Sequence, residues 1–190
     1  MQLETKRLIL RKPKMSDSRD IVEGIGDFDV SKMLLKVPYP YTKIDAEKFI
    51  KRKIKKWKQK ELDDYMFMIE LRLEKKVIGA IGIHKVDKFL GTGETGSWIN
   101  KKYWRNGYIT EAKIAVNDFA FKKLKLRRLD SPVYKDNIAS NATQQKMGYV
   151  FEGVKRKACK SMASGKIHDV NIYGLLKEDW VKARRNLIKK

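Results

Sequence analysis

Trp98-Ile99-Asn100-Lys101-Lys102-Tyr103-Trp104-Arg105-Asn106-Gly107-Tyr108-Ile109-Thr110-Glu111-Ala112 is the stretch from which the fold is read. Residues 94–99 have the length and apolar ending of a short strand. Ala112, Ala115, Val116, Phe119 and Ala120 then recur at steps of three and four, which predicts a helix over 110–123. Between them lies a basic loop carrying one glycine. A loop of this kind turns successive backbone N–H groups toward the positive end of a helix, a setting that suits a pyrophosphate. Gly107 lets the chain approach the phosphates closely, and Lys101, Lys102 and Arg105 add positive charge. A single glycine between a strand and a helix also serves as an ordinary turn, so this loop alone does not name a ligand.

Upstream, Arg7-Leu8-Ile9-Leu10-Arg11-Lys12 predicts a strand that stops at Pro13. Ser16-Asp17 opens a helix with Ile21, Val22 and Ile25 on one face. Prolines 38 and 40 hold the following segment extended. Thr42 then caps a helix whose Ala46, Phe49, Ile50, Ile54 and Trp57 share a face. Strands follow over 65–71 and 76–84. Beyond the central helix come a strand over 129–134, a short helix over 137–147 that ends at Gly148, and strands over 149–156 and 168–176. Strand, helices, three strands, helix, strand, helix, two strands is the order of an α/β protein: one mixed sheet of about seven strands with helices on its faces. No linker or repeat divides the chain, so 1–190 reads as a single domain.

Composition narrows the function. Of the 190 residues, 42% are hydrophobic and 10% aromatic, enough to fill a core although 35% are charged. No apolar run approaches the length of a membrane span, and the first residues lack an apolar signal core, so a cytoplasmic location is expected. One cysteine, Cys159, and two histidines cannot make a zinc site of the common kinds, so no metal is expected. The net charge of +21 invites an acidic partner such as RNA or a ribosome. The basic residues are 33 Lys to 11 Arg, however, and the densest run, Lys51 to Lys60, falls on the outer face of an amphipathic helix. A lysine-rich solvated surface explains this at least as well.

Several blocks in order then resemble the GNAT acetyltransferase superfamily, in the subgroup of ribosomal-protein N-terminal (alanine) acetyltransferases. They are Leu3-Glu4-Thr5-Lys6-Arg7-Leu8-Ile9-Leu10-Arg11, Pro38-Tyr39-Pro40-Tyr41-Thr42, Gly79-Ala80-Ile81-Gly82-Ile83-His84, Gly93-Glu94-Thr95-Gly96-Ser97-Trp98 and Tyr103 through Ala112. Asn137-Ile138-Ala139-Ser140, Gly148-Tyr149, Glu152-Gly153 and Gly165 through Val170 complete the series. The resemblance implies a mostly antiparallel sheet with a splayed strand pair that holds the cofactor. It also implies transfer of an acetyl group from acetyl-CoA, a substrate of the reaction, to a primary amine by direct attack in a ternary complex.

By the same resemblance, Trp104, Arg105, Asn106, Gly107, Tyr108, Ile109 and Thr110 hold the CoA pyrophosphate, and Trp98, Ile99 and Asn100 line the pantetheine arm with Asn137 opposite. Ile109 stands where the pattern has a small residue, which predicts a narrowed cradle. Gln144 stands where many relatives carry an acidic tyrosine. The attacking amine must lose a proton. Glu94 is the candidate base, or else an exposed strand-end carboxylate; Ser140 is the candidate acid, or else a residue of a helix N-terminus. His84 and His168 read more readily as packing or hydrogen-bonding residues.

A protein N-terminus is the expected acceptor, with a ribosome or RNA drawn to the basic surface and the chain a monomer or homodimer. Two alternatives stand beside it. One is a small amine of polyamine or aminoglycoside type, which requires an acidic pocket near Glu61, Asp63, Asp64, Glu70 or Glu94. The other is a non-catalytic acetyl-CoA- or RNA-binding module.

Overall fold

The computed structural model describes residues 1–188. In chain order the elements are β1 (Gln2–Glu4), β2 (Leu8–Arg11), α1 (Ser18–Ile25), α2 (Phe28–Ser31), α3 (Lys43–Trp57), β3 (Tyr65–Leu71), β4 (Val77–Asp87), β5 (Thr92–Ile99), α4 (Tyr108–Asp118), β6 (Arg128–Tyr134), α5 (Ile138–Lys146), β7 (Val150–Lys160), β8 (Ile167–Leu176) and α6 (Lys177–Ile188). A π-turn, Phe119–Lys123, continues α4. The strands form one sheet in the order β1-β2-β3-β4-β5-β6-β8-β7. Every neighbouring pair is antiparallel except β5 and β6.

Strand alternation sends side chains to two cores. On one face Phe67, Ile69, Ile81, Ile83 and Leu129 meet Ala112, Val116 and Phe119 of the α4 segment and Trp180 of α6. On the other, Met66, Met68, Val77 and Ala80 meet Ile21 and Ile25 of α1 and Ala46 and Ile50 of α3. Helix α3 starts where Thr42 predicts: its Oγ1 accepts from the Asp45 N–H at 3.3 Å, and the Asp45 carboxylate accepts from the Thr42 N–H at 2.9 Å. Its lysine-rich side faces outward, apart from Lys53, which is buried.

Two elements go beyond the expected seven strands. β1 is three residues long and lies at the sheet edge against β2, too short to show a period. Helix α6 was readable in principle. Trp180, Ala183 and Leu187 lie at helical spacing and pack on the core, and Trp180 Nε1 donates to Asp118 Oδ1 at 2.9 Å.

The feature that positions the site is the contrast between the two edges of β5. Along one edge it pairs with β4 from Asp87/Thr92 to Gly79/Ile99. Along the other it pairs with β6 only at Thr92/Arg128, Gly93/Leu129 and Glu94/Asp130. From Thr95 onward the two strands part. β6 stays with β8 along its whole length, so the opening belongs to the β5–β6 pair alone.

Candidate active site

The cradle at the head of α4 is made almost entirely of backbone. Arg105 and Gly107 both have left-handed conformations, φ +62° and φ +77°. Tyr108 to Thr110 lie in the first turn of α4, where the N–H groups have no partner in the helix. None of the six N–H groups from Arg105 to Thr110 donates a hydrogen bond among the described residues. Six consecutive free donors, curved by two left-handed residues at a helix N-terminus, form a nest for an anion. The nest is braced from outside. Arg7 donates to the Asn106 carbonyl at 3.0 Å, pairs with Glu111 at 2.7 Å and lies over the Tyr108 ring at 4.4 Å. Asn106 Nδ2 donates to the Trp104 carbonyl at 3.0 Å, and Trp104 Nε1 donates to the Ile99 carbonyl at 2.9 Å, which ties the loop to the end of β5.

Two sequence expectations change here. Ile109 does not narrow the cradle, because its side chain turns inward and packs on the main core. Lys101 and Lys102 are not free for phosphate: Lys101 pairs with Asp29 at 2.6 Å and Lys102 with Glu23 at 2.9 Å, tying the loop to α1 and the segment after it. Those pairs hold Asp29 and Glu23 at about 2, well below the usual carboxylate range. Arg105 has no ion pair among the described residues and is exposed beside the nest.

Beyond the cradle the opening between β5 and β6 is bordered as the sequence suggested, though side chains diverge. Trp98 points to the face of α1 and sits against Gly24, where a side chain would collide with its ring. Only its backbone borders the opening. Ile99 packs on the opposite core. Asn100 is 3% exposed; its Oδ1 accepts from the Lys102 N–H at 3.0 Å, and its Nδ2 is buried without a partner. Across the gap Asn137 caps α5, with Oδ1 accepting from the Ser140 N–H at 3.1 Å. Ser140 therefore lies in the first turn of α5.

At the closed end of the opening stands Glu94, the last residue of β5 paired to β6. Its carboxylate meets the exposed Lys85 at 2.9 Å. Its cross-strand neighbour is His84, and here the structure brings in groups the sequence reading passed over. His84 Nδ1 lies 3.1 Å from Asp64, and the same carboxylate accepts from Lys53 at 2.6 Å. His84 and Lys53 together hold the half-buried Asp64 carboxyl down at about 2 against the opposing effect of burial. The His84 ring leans over Gly82 and Gly96, the two positions without side chains in the way. His168 is the packing residue expected, stacked on Tyr134 with ring centres 4.0 Å apart. Deeper on the α4 face lie Thr95, Lys113, Gln144 and Tyr149, all buried. No spacing rule marks this group; the nearest signal is a lysine flanked by Ala112 and Ile114.

A mixed sheet that opens between its two parallel strands, with an amide nest at the head of the next helix, is an elongated cleft with one end suited to an anion. The chain belongs to the GNAT acetyltransferase family, since the family model for the acetyltransferase (GNAT) domain matches residues 7–150. It is an N-acetyltransferase whose acetyl donor is acetyl-CoA. It is 31% identical over 180 residues to the N-acetyltransferase YoaA of Bacillus subtilis, covering 92% of this chain and 96% of that one. Over 109 residues it is 27% identical to the ribosomal-protein-serine acetyltransferase of Escherichia coli, covering 57% and 60%. Among solved structures, a GNAT-family acetyltransferase from Bacillus anthracis superposes with TM-score 0.80 at 27% identity, covering 94% of this chain and 99% of that one. No described helix is long and apolar enough to cross a membrane.

Proposed function

We propose that the chain acetylates a protein N-terminus, binding acetyl-CoA through the amide nest of Arg105–Thr110 and the gap between β5 and β6. The run of six unpaired N–H groups beside that gap carries the reading. Trp104, Arg105, Asn106, Gly107, Tyr108, Ile109 and Thr110 make the phosphate end. The backbone of Trp98 and Ile99, the free Nδ2 of Asn100, and Asn137 with Ser140 line the arm. Glu94 and His84, side by side where the gap begins, take up the proton of the attacking amine, which near pH 7 is still mostly an ammonium. The Asp64 contact fixes the His84 ring, as an orienting group does for a base.

An N-terminal acceptor is supported over a small polycation by charge. Of the five carboxylates that reading names, Asp63, Asp64, Glu70 and Glu94 pair with Lys56 at 2.8 Å, Lys53 at 2.6 Å, Arg11 at 2.5 Å and Lys85 at 2.9 Å, which leaves only the exposed Glu61 without an ion pair among the described residues. A surface at +21 repels polyamines and attracts ribosomal RNA around nascent and assembled proteins. The Escherichia coli relative, named for a ribosomal protein, points the same way.

Calorimetry with acetyl-CoA tests this reading. Micromolar binding by the wild type, weakened at least 100-fold in Gly107→Glu, is the expected result, followed by turnover of N-terminal peptides that exceeds turnover of polyamines. Undetectable binding at millimolar acetyl-CoA contradicts it and leaves an RNA-binding role to be examined.

A further inference from the structure

Lys113 has no structural justification of the ordinary kind. It lies in the second turn of α4, 3% exposed, and its ammonium makes one hydrogen bond, to Gln144 Oε1 of α5 at 3.2 Å. No carboxylate lies within 4.0 Å of it among the described residues. An ammonium has three protons to donate, so two are left without a protein acceptor. Leaving a charged group in this state costs a fold several kcal/mol, and such groups concentrate where chemistry needs them.

A short chain of contacts leads from it toward the closed end of the gap. The ammonium lies 5.9 Å from the centre of the Tyr149 ring. The Tyr149 hydroxyl is 3.1 Å from Thr95 Oγ1, which donates to the Asp130 carbonyl at 3.3 Å. Thr95 is the first residue of β5 after pairing with β6 ends, and Asp130 is the last of β6 before it ends. The Lys113–Gln144 contact therefore spans from α4 to α5 beside the point where the strands separate. One turn along α4, Asn117 is 1% exposed with its Nδ2 unpartnered, so this interior keeps more than one unused donor.

We propose that Lys113 is the acid of the transfer reaction: its ammonium gives a proton to the sulfur of coenzyme A as the carbon–sulfur bond breaks. This rests on the reading that acetyl-CoA occupies the gap. The acceptor nitrogen forms a bond to the acetyl carbon, the C–S electron pair goes to sulfur, and a proton passes from Lys113 Nζ to sulfur to give the free thiol. Lys113 is left as a neutral amine and regains a proton from water when the products leave. Gln144 cannot serve, having no acidic proton, and the Ser140 hydroxyl is a far weaker acid than an ammonium. Burial alone pushes Lys113 down to about 8, close to an ordinary thiol, so the transfer is nearly balanced in energy. The titratable group facing it is Tyr149, itself raised by burial and so neutral throughout that range. Asp130, beyond Tyr149, is engaged by Arg128.

The test is Lys113→Met, which keeps an unbranched, largely apolar side chain and removes the ammonium. The expected result is unchanged acetyl-CoA binding and KM, kcat lower by about 100-fold, and a wild-type kcat that falls above pH 8 where that of the variant does not. A second readout needs no turnover: the thiol of bound coenzyme A, followed by its ultraviolet thiolate band, titrates at lower pH on the wild type than on the variant. Equal kcat, equal pH profile or equal thiol titration in the two proteins overturns the role of Lys113 and leaves a tether between α4 and α5. Absence of acetyl-CoA binding in the wild type overturns the functional reading itself, and this inference with it.

Discussion

Two lysines are buried among the described residues, on opposite faces of the sheet, and they are treated in opposite ways. Lys53, on α3, is 8% exposed and reaches Asp64 at 2.6 Å, a carboxylate shared with His84. Lys113, on α4, is 3% exposed and finds only the neutral Gln144. The first is a desolvated charge that has been compensated, and its hydrogen bond holds Asp64 and, through it, His84. The second is uncompensated, and a lysine in that state gives up its proton near neutral pH. One face thus fixes a candidate base by pairing, while the other readies a candidate acid by withholding a pair.

The largest expected effect on stability comes from breaking the compensated lysine. Lys53→Met leaves Asp64 ionised and half-satisfied in the interior, and should cost about 3 kcal/mol in urea unfolding. The other lysine should respond with the opposite sign. The proton affinity of Lys113 is lower folded than unfolded, so the unfolded chain binds the extra proton between about pH 8 and the ordinary lysine value of 10.5. The penalty is complete below pH 8 and fades as pH rises through that window. Lys113→Met should therefore gain on the order of 3 kcal/mol at pH 7, by conversion of the shift, and little by pH 10.5. Equal signs for the two variants would break the comparison. A smaller effect sharpens it. Asp64 has a folded value of about 2 against 3.8, so its contribution is present above about pH 4 and is lost as pH falls toward 2. Asp64→Asn should flatten that part of the acid unfolding curve by roughly 2 kcal/mol.

The same contrast explains what the sequence made legible. The order of elements, the loop from Asn100 to Gly107 and the helix after it follow from local patterns, and they sit where those patterns put them. The fate of charges does not follow locally. Lys101 and Lys102 belong to a phosphate loop by position, yet acids in and after α1, more than seventy residues earlier, claim them. Ile109 looks obstructive in a motif and turns out to be a core residue, because the helix phase turns it inward. Nothing local singles out Lys113, which the fold sets against Gln144 of α5, and nothing local names Asp64, just before β3, as the partner of His84 Nδ1. Burial and pairing across long sequence separations are set by tertiary packing, which residue spacing does not encode.

The most direct measurement is a crystal structure of the chain with coenzyme A bound. The account predicts the pyrophosphate on the amides of residues 105–110, the arm between β5 and β6, and the sulfur within hydrogen-bond reach of Lys113 Nζ. An arm bound elsewhere, or a sulfur remote from Lys113 with the Gln144 contact intact, would contradict it.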